Sequence, residues 1–158
     1  MRSTPAVQIR PARPADAGII AGFNCALAHE TEALQLDPAR VQRGVRALLR
    51  DAAKGVYFLA EADGAIAGQL LLTYEWSDWR NGNFWWIQSV YVAPEFRRQG
   101  VFQALYAHIE QLARSRQNVC GLRLYVEREN RRAKRTYRQL GMSKTHYELF
   151  EVDFVLRH

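Results

Sequence analysis

The chain has 158 residues, 48% of them hydrophobic and 24% charged, which suits one domain around a single core and excludes a disordered or fibrous protein. The opening MRSTPAVQIRPARPAD holds no apolar run of the signal-peptide kind, and charge interrupts every long apolar stretch, as in VYFLAEADGAIAG, so a cytoplasmic protein without a membrane span is expected. A formal net charge of +6 points to an anionic partner, without choosing among nucleic acid, a membrane surface and a phosphorylated small molecule.

In chain order, VQIR (Val7 to Arg10) reads as a short strand, and Asp16 opens a helix with Ile19, Ile20, Phe23 and Leu27 on one face. Asp37 before Pro38 is an N-cap with proline at the first helical position, followed by the apolar stripe Val41, Val45, Leu48 and Leu49. VYFLAEADGAIAGQLLLTY is two strands across a turn at Asp63-Gly64. FWWIQSVYV, Phe84 to Val92, is apolar on both faces and is expected at the centre of the sheet, covered by helices on both sides. A helix follows with Val101, Leu105, Ile109 and Leu112 inward, then the strand GLRLYV, then a helix from about Asn130 to Leu140 stopped at Gly141. The end is expected to form a strand over YELFEVDFV, with a shorter one at Ser143 to His146. The sum is an α/β domain with a mixed sheet, and no repeat or linker marks a boundary within 1–158. Cys25 and Cys120 are isolated and read as buried free thiols; His29, His108, His146 and His158 show no metal-ligand spacing, so no metal is expected.

The stretch PEFRRQGVFQALY, Pro94 to Tyr106, sets two arginines and a glycine directly ahead of a helical apolar pattern. The first amides of a helix have no partner within it and attract anions. A glycine lets backbone approach a phosphate, and Arg97 and Arg98 add positive charge beside Gly100, so the stretch suits a pyrophosphate cradle. The plain alternative is that Gly100 caps a helix and the arginines are solvated. Neither the Walker A ending nor the three-glycine dinucleotide fingerprint is present.

These residues resemble the GNAT superfamily of acyl-CoA-dependent N-acyltransferases, whose signature, Arg/Gln-x-x-Gly-x-Gly/Ala, lies between the fourth strand and the third helix. Arg97, Arg98, Gln99, Gly100 and Val101 match it, and Phe102 stands where the family usually has a small residue. VYVAPEFRRQG is similar to the family's strand-Pro-loop run, and VERENRRAKRTYRQLGM to its second cofactor region. The resemblance implies a mostly antiparallel central sheet with helices on both faces, and acetyl-CoA as cosubstrate. It implies that the backbone of Val90, Tyr91 and Val92 meets the pantetheine arm, with an amide at Val90 or its neighbour facing the thioester carbonyl. Arg98 to Gln103 would wrap the pyrophosphate, Asn130 and Ala133 would line the far side of the pantetheine, and Tyr137 would be the general acid. The basic run Arg128, Arg131, Arg132, Lys134, Arg135 and Arg138 is a solvated helix face, a partner for the ribose 3′-phosphate, or a nucleic-acid stripe; nucleic acid is not expected, because no groove-reading module accompanies it.

The resemblance puts the acceptor against HETEALQLD and YEWSDWRNGNFWW. Glu30, Glu32, Glu75 and Asp78 are candidates to orient a cationic amine, while Trp76, Trp79, Trp85 and Trp86 either wall the acceptor or pack the core or a homodimer interface. Gln88 aligns with a glutamate base of polyamine-type members and cannot accept a proton. The expected activity is acetyl transfer to a primary amine of a small molecule or peptide by direct attack in a ternary complex. A non-catalytic acyl-CoA-binding module and a basic nucleic-acid-binding domain are the alternatives.

Overall fold

The structure, a computed structural model, describes residues 6–156; the first five residues of the N-terminal stretch and His158 lie outside them. Backbone contacts group the chain into two compact units, one through Tyr125 and one from Val126.

The first unit holds β1 (Gln8–Pro11), α1 (Ala17–Glu32), α2 (Pro38–Leu49), β2 (Val56–Ala62), β3 (Ala65–Ser77), β4 (Gly82–Val92), α3 (Val101–Arg114) and β5 (Val119–Leu124), with 3-10 turns at Pro14–Asp16 and Pro94–Phe96. The strands form one sheet in the order β1-β2-β3-β4-β5, antiparallel except for the parallel β4–β5 pair. Side chains alternate across the sheet. On one face Tyr57, Leu59 and Leu71 join Ala17, Ile20 and Ala21 of α1 and Val45 of α2 in a single core cluster. On the other, Phe58 meets His108 of α3 with ring centroids 5.5 Å apart, and Leu105 and Ile109 of α3 are fully buried. Helices therefore cover both faces of a mixed, mostly antiparallel sheet.

The centre of the sheet is β3, not the aromatic β4 that the sequence pattern favours. The hairpin at Asp63-Gly64 and the turn after Ser77 set β3 between β2 and β4, and Ala67 to Leu72 is buried without a break. In α1 the inward stripe is Ala17, Ile20 and Ala21, while Ile19 turns out at 38% exposure. Asp16 precedes that helix but turns its carboxylate back to the Arg13 amide, 2.7 Å, and to the Arg10 guanidinium, 2.9 Å, which holds its pKa below the ordinary value. Asp37 caps α2 as its sequence says, accepting from the Ala39 amide at 3.0 Å.

Gly68 on β3 is required by close approach. A Cβ there would lie 2.8 Å from the Tyr91 carbonyl oxygen on β4 and 3.1 Å from Val101 Cγ1, the buried first residue of α3. Gly68→Ala is therefore expected to destabilise the protein by roughly 1–3 kcal/mol, the usual range for overpacking a tight site. Urea unfolding checks this; an unchanged midpoint would show that β3 and α3 part freely.

The second unit contains α4 (Arg131–Gln139), and its described residues after α4 form neither helix nor strand. The strands expected at Ser143 to His146 and over YELFEVDFV are thus absent. Alternating apolar residues make a segment competent for a sheet, but a strand has no hydrogen bonds of its own and exists only when a neighbouring edge accepts it. Phe150 and Phe154 stand 91% and 90% exposed, so this segment has buried neither face.

Candidate functional site

The loop from β4 to α3 is built by short backbone bonds. After Val92, the Ala93 amide donates to Ala67 O (2.8 Å), and a 3-10 turn closes with Phe96 N–H to Ala93 O (2.9 Å). Arg98 at φ +62 and Gly100 at φ +76 are left-handed, and this pair reverses the chain into α3. Val101 buries its side chain and anchors the first helical residue, and the first bond of the helix ladder is Ala104 N–H to Gly100 O. The amides from Arg98 to Gln103 precede that ladder and lie at the positive end of the helix dipole. A Cβ on Gly100 would meet no heavy atom within 4 Å, so the space beside this turn is open. The residues present fit a bound phosphate group.

The two arginines divide the work. Arg97 is engaged within the protein: its Nε donates to Val92 O (2.9 Å), its Nη2 pairs with Glu30 Oε2 (2.7 Å), and its guanidinium lies over the Tyr91 ring. Arg98 is exposed and joins no ion pair among the described residues, so it is a cation available to a ligand. Gln99 braces the loop through Nε2 to Glu95 O (3.0 Å), Phe102 is half-buried near Tyr106, and Gln103 is exposed.

Strand β4 carries a bulge ahead of this loop. Gln69 faces Tyr91 and Leu71 faces Gln88, so Ser89 and Val90 together oppose the single residue Leu70. Ser89 takes φ +49, a left-handed conformation that costs a non-glycine residue about 1–2 kcal/mol. The bulge is confined to Ser89 and Val90, since Tyr91 and Val92 pair again with Gln69 and Gly68, and the β4–β5 pairing extends only through Ile87, short of the stretch where the resemblance puts the thioester.

The four candidate carboxylates do not form one cluster. Glu30 accepts from the Tyr91 hydroxyl (3.0 Å) and pairs with Arg97. Burial raises its carboxyl, but the bonds from Arg97 and Tyr91 outweigh this and hold its pKa below the ordinary value. Glu32 is exposed at the last turn of α1 and joins no ion pair among the described residues. Glu75 pairs with Arg123, whose guanidinium stacks on the Phe84 ring, 3.6 Å from its centroid. Asp78 accepts from the Trp79 amide in its own turn. Glu75 lies six residues along β3 from Gln69, the partner of Tyr91, which is roughly 20 Å at about 3.3 Å per residue. Trp85 is buried and Trp86 lies against Tyr125, whereas Trp76 and Trp79 are exposed. Gln88 donates to Thr73 Oγ1.

A buried polar network on the α1 face went unnoticed in the sequence. Gln69, 0% exposed, donates through Nε2 to Asn24 Oδ1 (2.8 Å) and to Ser89 O (3.1 Å), and Asn24 Nδ2 reaches the Tyr57 hydroxyl (3.1 Å). Burial pushes the Tyr57 phenol up, against hydrogen bonds with Asn24 and Ser89. The signal was a lone amide inside the apolar run AIAGQLLL.

In the second unit, Asn130 caps α4 by accepting from the Ala133 amide at 3.0 Å. Ala133, Tyr137 and Leu140 share the half-buried side of that helix, and burial pushes the Tyr137 phenol up. Arg131, Arg135 and Arg138 are exposed on the opposite side, and no ion pair among the described residues engages them. No group of three or more His, Cys, Asp or Glu side chains able to hold a metal occurs among the described residues, nor does a helix long and apolar enough to cross a membrane.

Comparison with known proteins gives a family match. A family model described as the Acetyltransferase (GNAT) family matches residues 26–142. A possible acetyltransferase from Clostridium difficile 630 is 46% identical, with a TM-score of 0.88 over 95% of this chain and 99% of that one. A ribosomal-protein-alanine N-acetyltransferase from Brucella melitensis biovar Abortus 2308 shares the fold at 19% identity, with a TM-score of 0.76 over 94% of this chain and 99% of that one. So does a predicted acetyltransferase from Clostridium acetobutylicum solved with acetyl-CoA, at 16% identity and a TM-score of 0.74, over 97% of this chain and 99% of that one. No curated protein matches.

Proposed function

The chain belongs to the GNAT acetyltransferase family, and from that premise we propose that it transfers an acetyl group from acetyl-CoA to a primary amine of a small molecule or peptide, by direct attack in a ternary complex. One N-acetyltransferase domain over 1–158 is part of this reading, and the family match supports it by running across Tyr125 and Val126.

The observation that carries the proposal is the turn at Arg98 and Gly100: two left-handed residues, open space beside the glycine, and the amides that precede the α3 ladder. Those amides and Arg98 would hold the pyrophosphate of acetyl-CoA, which supplies an activated acyl group as a thioester. Arg97 acts one step back. By tying Val92 O to Glu30 it fixes the loop against α1, leaving Arg98 as an exposed cation beside the turn. The bulge at Ser89 and Val90 presents a backbone amide to the thioester oxygen, where a fixed donor stabilises the charge that develops on attack. The amine attacks as the free base. Tyr137, whose phenol burial keeps protonated well beyond neutral pH, donates its proton to the departing thiolate, while the proton that the amine nitrogen loses on becoming an amide passes to water, from which the tyrosine is reprotonated.

Two facts favour a non-catalytic acyl-CoA-binding protein as the second reading. Gln88, at the aligned base position, is bonded to Thr73, and both Glu30 and Glu75 are held in ion pairs. The experiment that separates the two is free-thiol release from acetyl-CoA with a panel of primary amines and amino-terminal peptides. Amine-dependent release at a turnover above about 0.1 per second, within two orders of the common enzyme range, is expected. Tight acetyl-CoA binding with no release from any amine would leave only the binding role.

A further inference from the structure

We propose that Gln69 is a positioning residue for acyl transfer: it clamps the β4 bulge and so sets the direction of the amide offered to the thioester. This rests on the acetyltransferase reading above for its functional consequence, but its structural half stands apart from it.

Apart from aromatic side chains, Gln69 is the sole buried polar side chain among the described residues. Its two nearest polar neighbours, Asn24 Oδ1 and Ser89 O, are both acceptors in this arrangement, so the amide must turn its NH₂ toward them. The other end, Oε1, is buried with no hydrogen-bond partner. An apolar side chain of the same length would fill this position without leaving an orphaned acceptor. What the amide provides that a hydrocarbon does not is a pair of donors, and one of them holds Ser89 O, the carbonyl of the strained residue in the bulge.

That carbonyl belongs to the peptide unit whose other end is the Val90 N–H. A peptide unit is planar, so fixing its oxygen fixes the direction of its amide hydrogen on the opposite side. The Gln69 side chain comes from the α1 face, and the Val90 amide therefore points away from it. A bulge with Ser89 at φ +49 is a conformation that surrounding contacts must enforce. The enforcing contacts run back through Asn24 on α1 to the Tyr57 hydroxyl on β2, so three elements besides β4 determine where one backbone donor points.

The test uses Gln69→Met, which keeps the shape of the side chain and removes both donors, and Gln69→Glu. In Gln69→Met the turnover of the best amine is expected to fall by roughly 10–10²-fold, the scale at which small misplacement of a catalytic group is felt, with the KM for acetyl-CoA within about twofold of the parent. In Gln69→Glu the acid form keeps one donor and the carboxylate has none. Burial raises the pKa of such a group, so the ratio of variant to parent kcat should fall as pH rises between about 6 and 9. A packing role moves stability but not this ratio. Independently of any activity, the backbone amide signals of Ser89, Val90 and Tyr91 should shift in the ¹H–¹⁵N spectrum of Gln69→Met, while those of Gly100 to Gln103 stay in place. If the parent turns over no amine, the acetyltransferase reading fails and the spectrum alone judges the clamp. Unmoved Ser89 to Tyr91 signals, or a folded Gln69→Met variant with kcat within twofold of the parent, overturns the proposal.

Discussion

Gly100→Asp is expected to weaken acetyl-CoA binding by at least roughly 10²-fold while leaving the protein folded. The fold should survive for two reasons visible at the site: a Cβ added at residue 100 meets no heavy atom within 4 Å beyond its chain neighbours, and aspartate tolerates the left-handed φ of +76 better than most residues. Residue 100 is also the N-cap of α3, where a carboxylate accepts from the amides of the following turn. The same interaction removes the binding site, because those amides become occupied and a negative charge stands where the pyrophosphate would lie. Like charges brought together in a binding site cost several kcal/mol, and about 1.4 kcal/mol is a factor of ten. Affinity should therefore drop by at least roughly 10²-fold. Calorimetric titration with acetyl-CoA, beside a melting curve of the unliganded variant, is the measurement. An unchanged dissociation constant in a folded variant would remove the cradle from the account.

Tyr137→Phe is expected to lower kcat by roughly 10–10³-fold with acetyl-CoA binding retained, since a general acid contributes about 10²–10⁴ and water replaces part of it. A free thiol has a pKa of about 8.5 and a phenol about 10, and burial pushes the Tyr137 phenol further up. The sign follows directly. The phenol is protonated, and able to donate, throughout the neutral range, so any alkaline loss of turnover assigned to it must fall above the ordinary phenol pKa. Phenylalanine keeps the ring on the Ala133 and Leu140 side of α4, so packing is preserved. If turnover stays within twofold and only the melting temperature changes, the residue is a core tyrosine and the thiolate is protonated by solvent.

The residues differ in how openly the sequence announced them. Gly100 was legible because its demand is local: a left-handed turn ahead of an apolar helical pattern is written in five consecutive residues. Asp37 was legible for the same reason, capping α2 through an amide two residues on, whereas Asn130, read as the approximate start of a helix, caps α4 through the Ala133 amide. Arg97 was misleading. Its place beside Arg98 suggested a pair of phosphate ligands, and only the approach of α1 shows that one of the two is consumed by Glu30 and Val92 O. Glu30, a candidate in the sequence for orienting an amine, is paired with Arg97 and Tyr91 and so ties α1 to the β4–α3 loop.

What the sequence by itself determined is what a short window can encode: the helix start at Asp37, the hairpin at Asp63-Gly64, the glycine turn ahead of α3, and through such motifs the family. The tertiary structure decided what depends on partners distant in the chain. The bulge at Ser89 and Val90 is invisible in FWWIQSVYV because it exists only as a mismatch against β3, held by a glutamine twenty residues away. The separation of Glu75 from Glu30 follows from register along β3 and β4, which no composition of either segment states. The final segment YELFEVDFV shows the converse: its alternation permits a strand, yet it pairs with none and instead bends after Asp153, whose carboxylate accepts from the Val155 and Leu156 amides, because a strand's hydrogen bonds belong to its neighbours and not to itself.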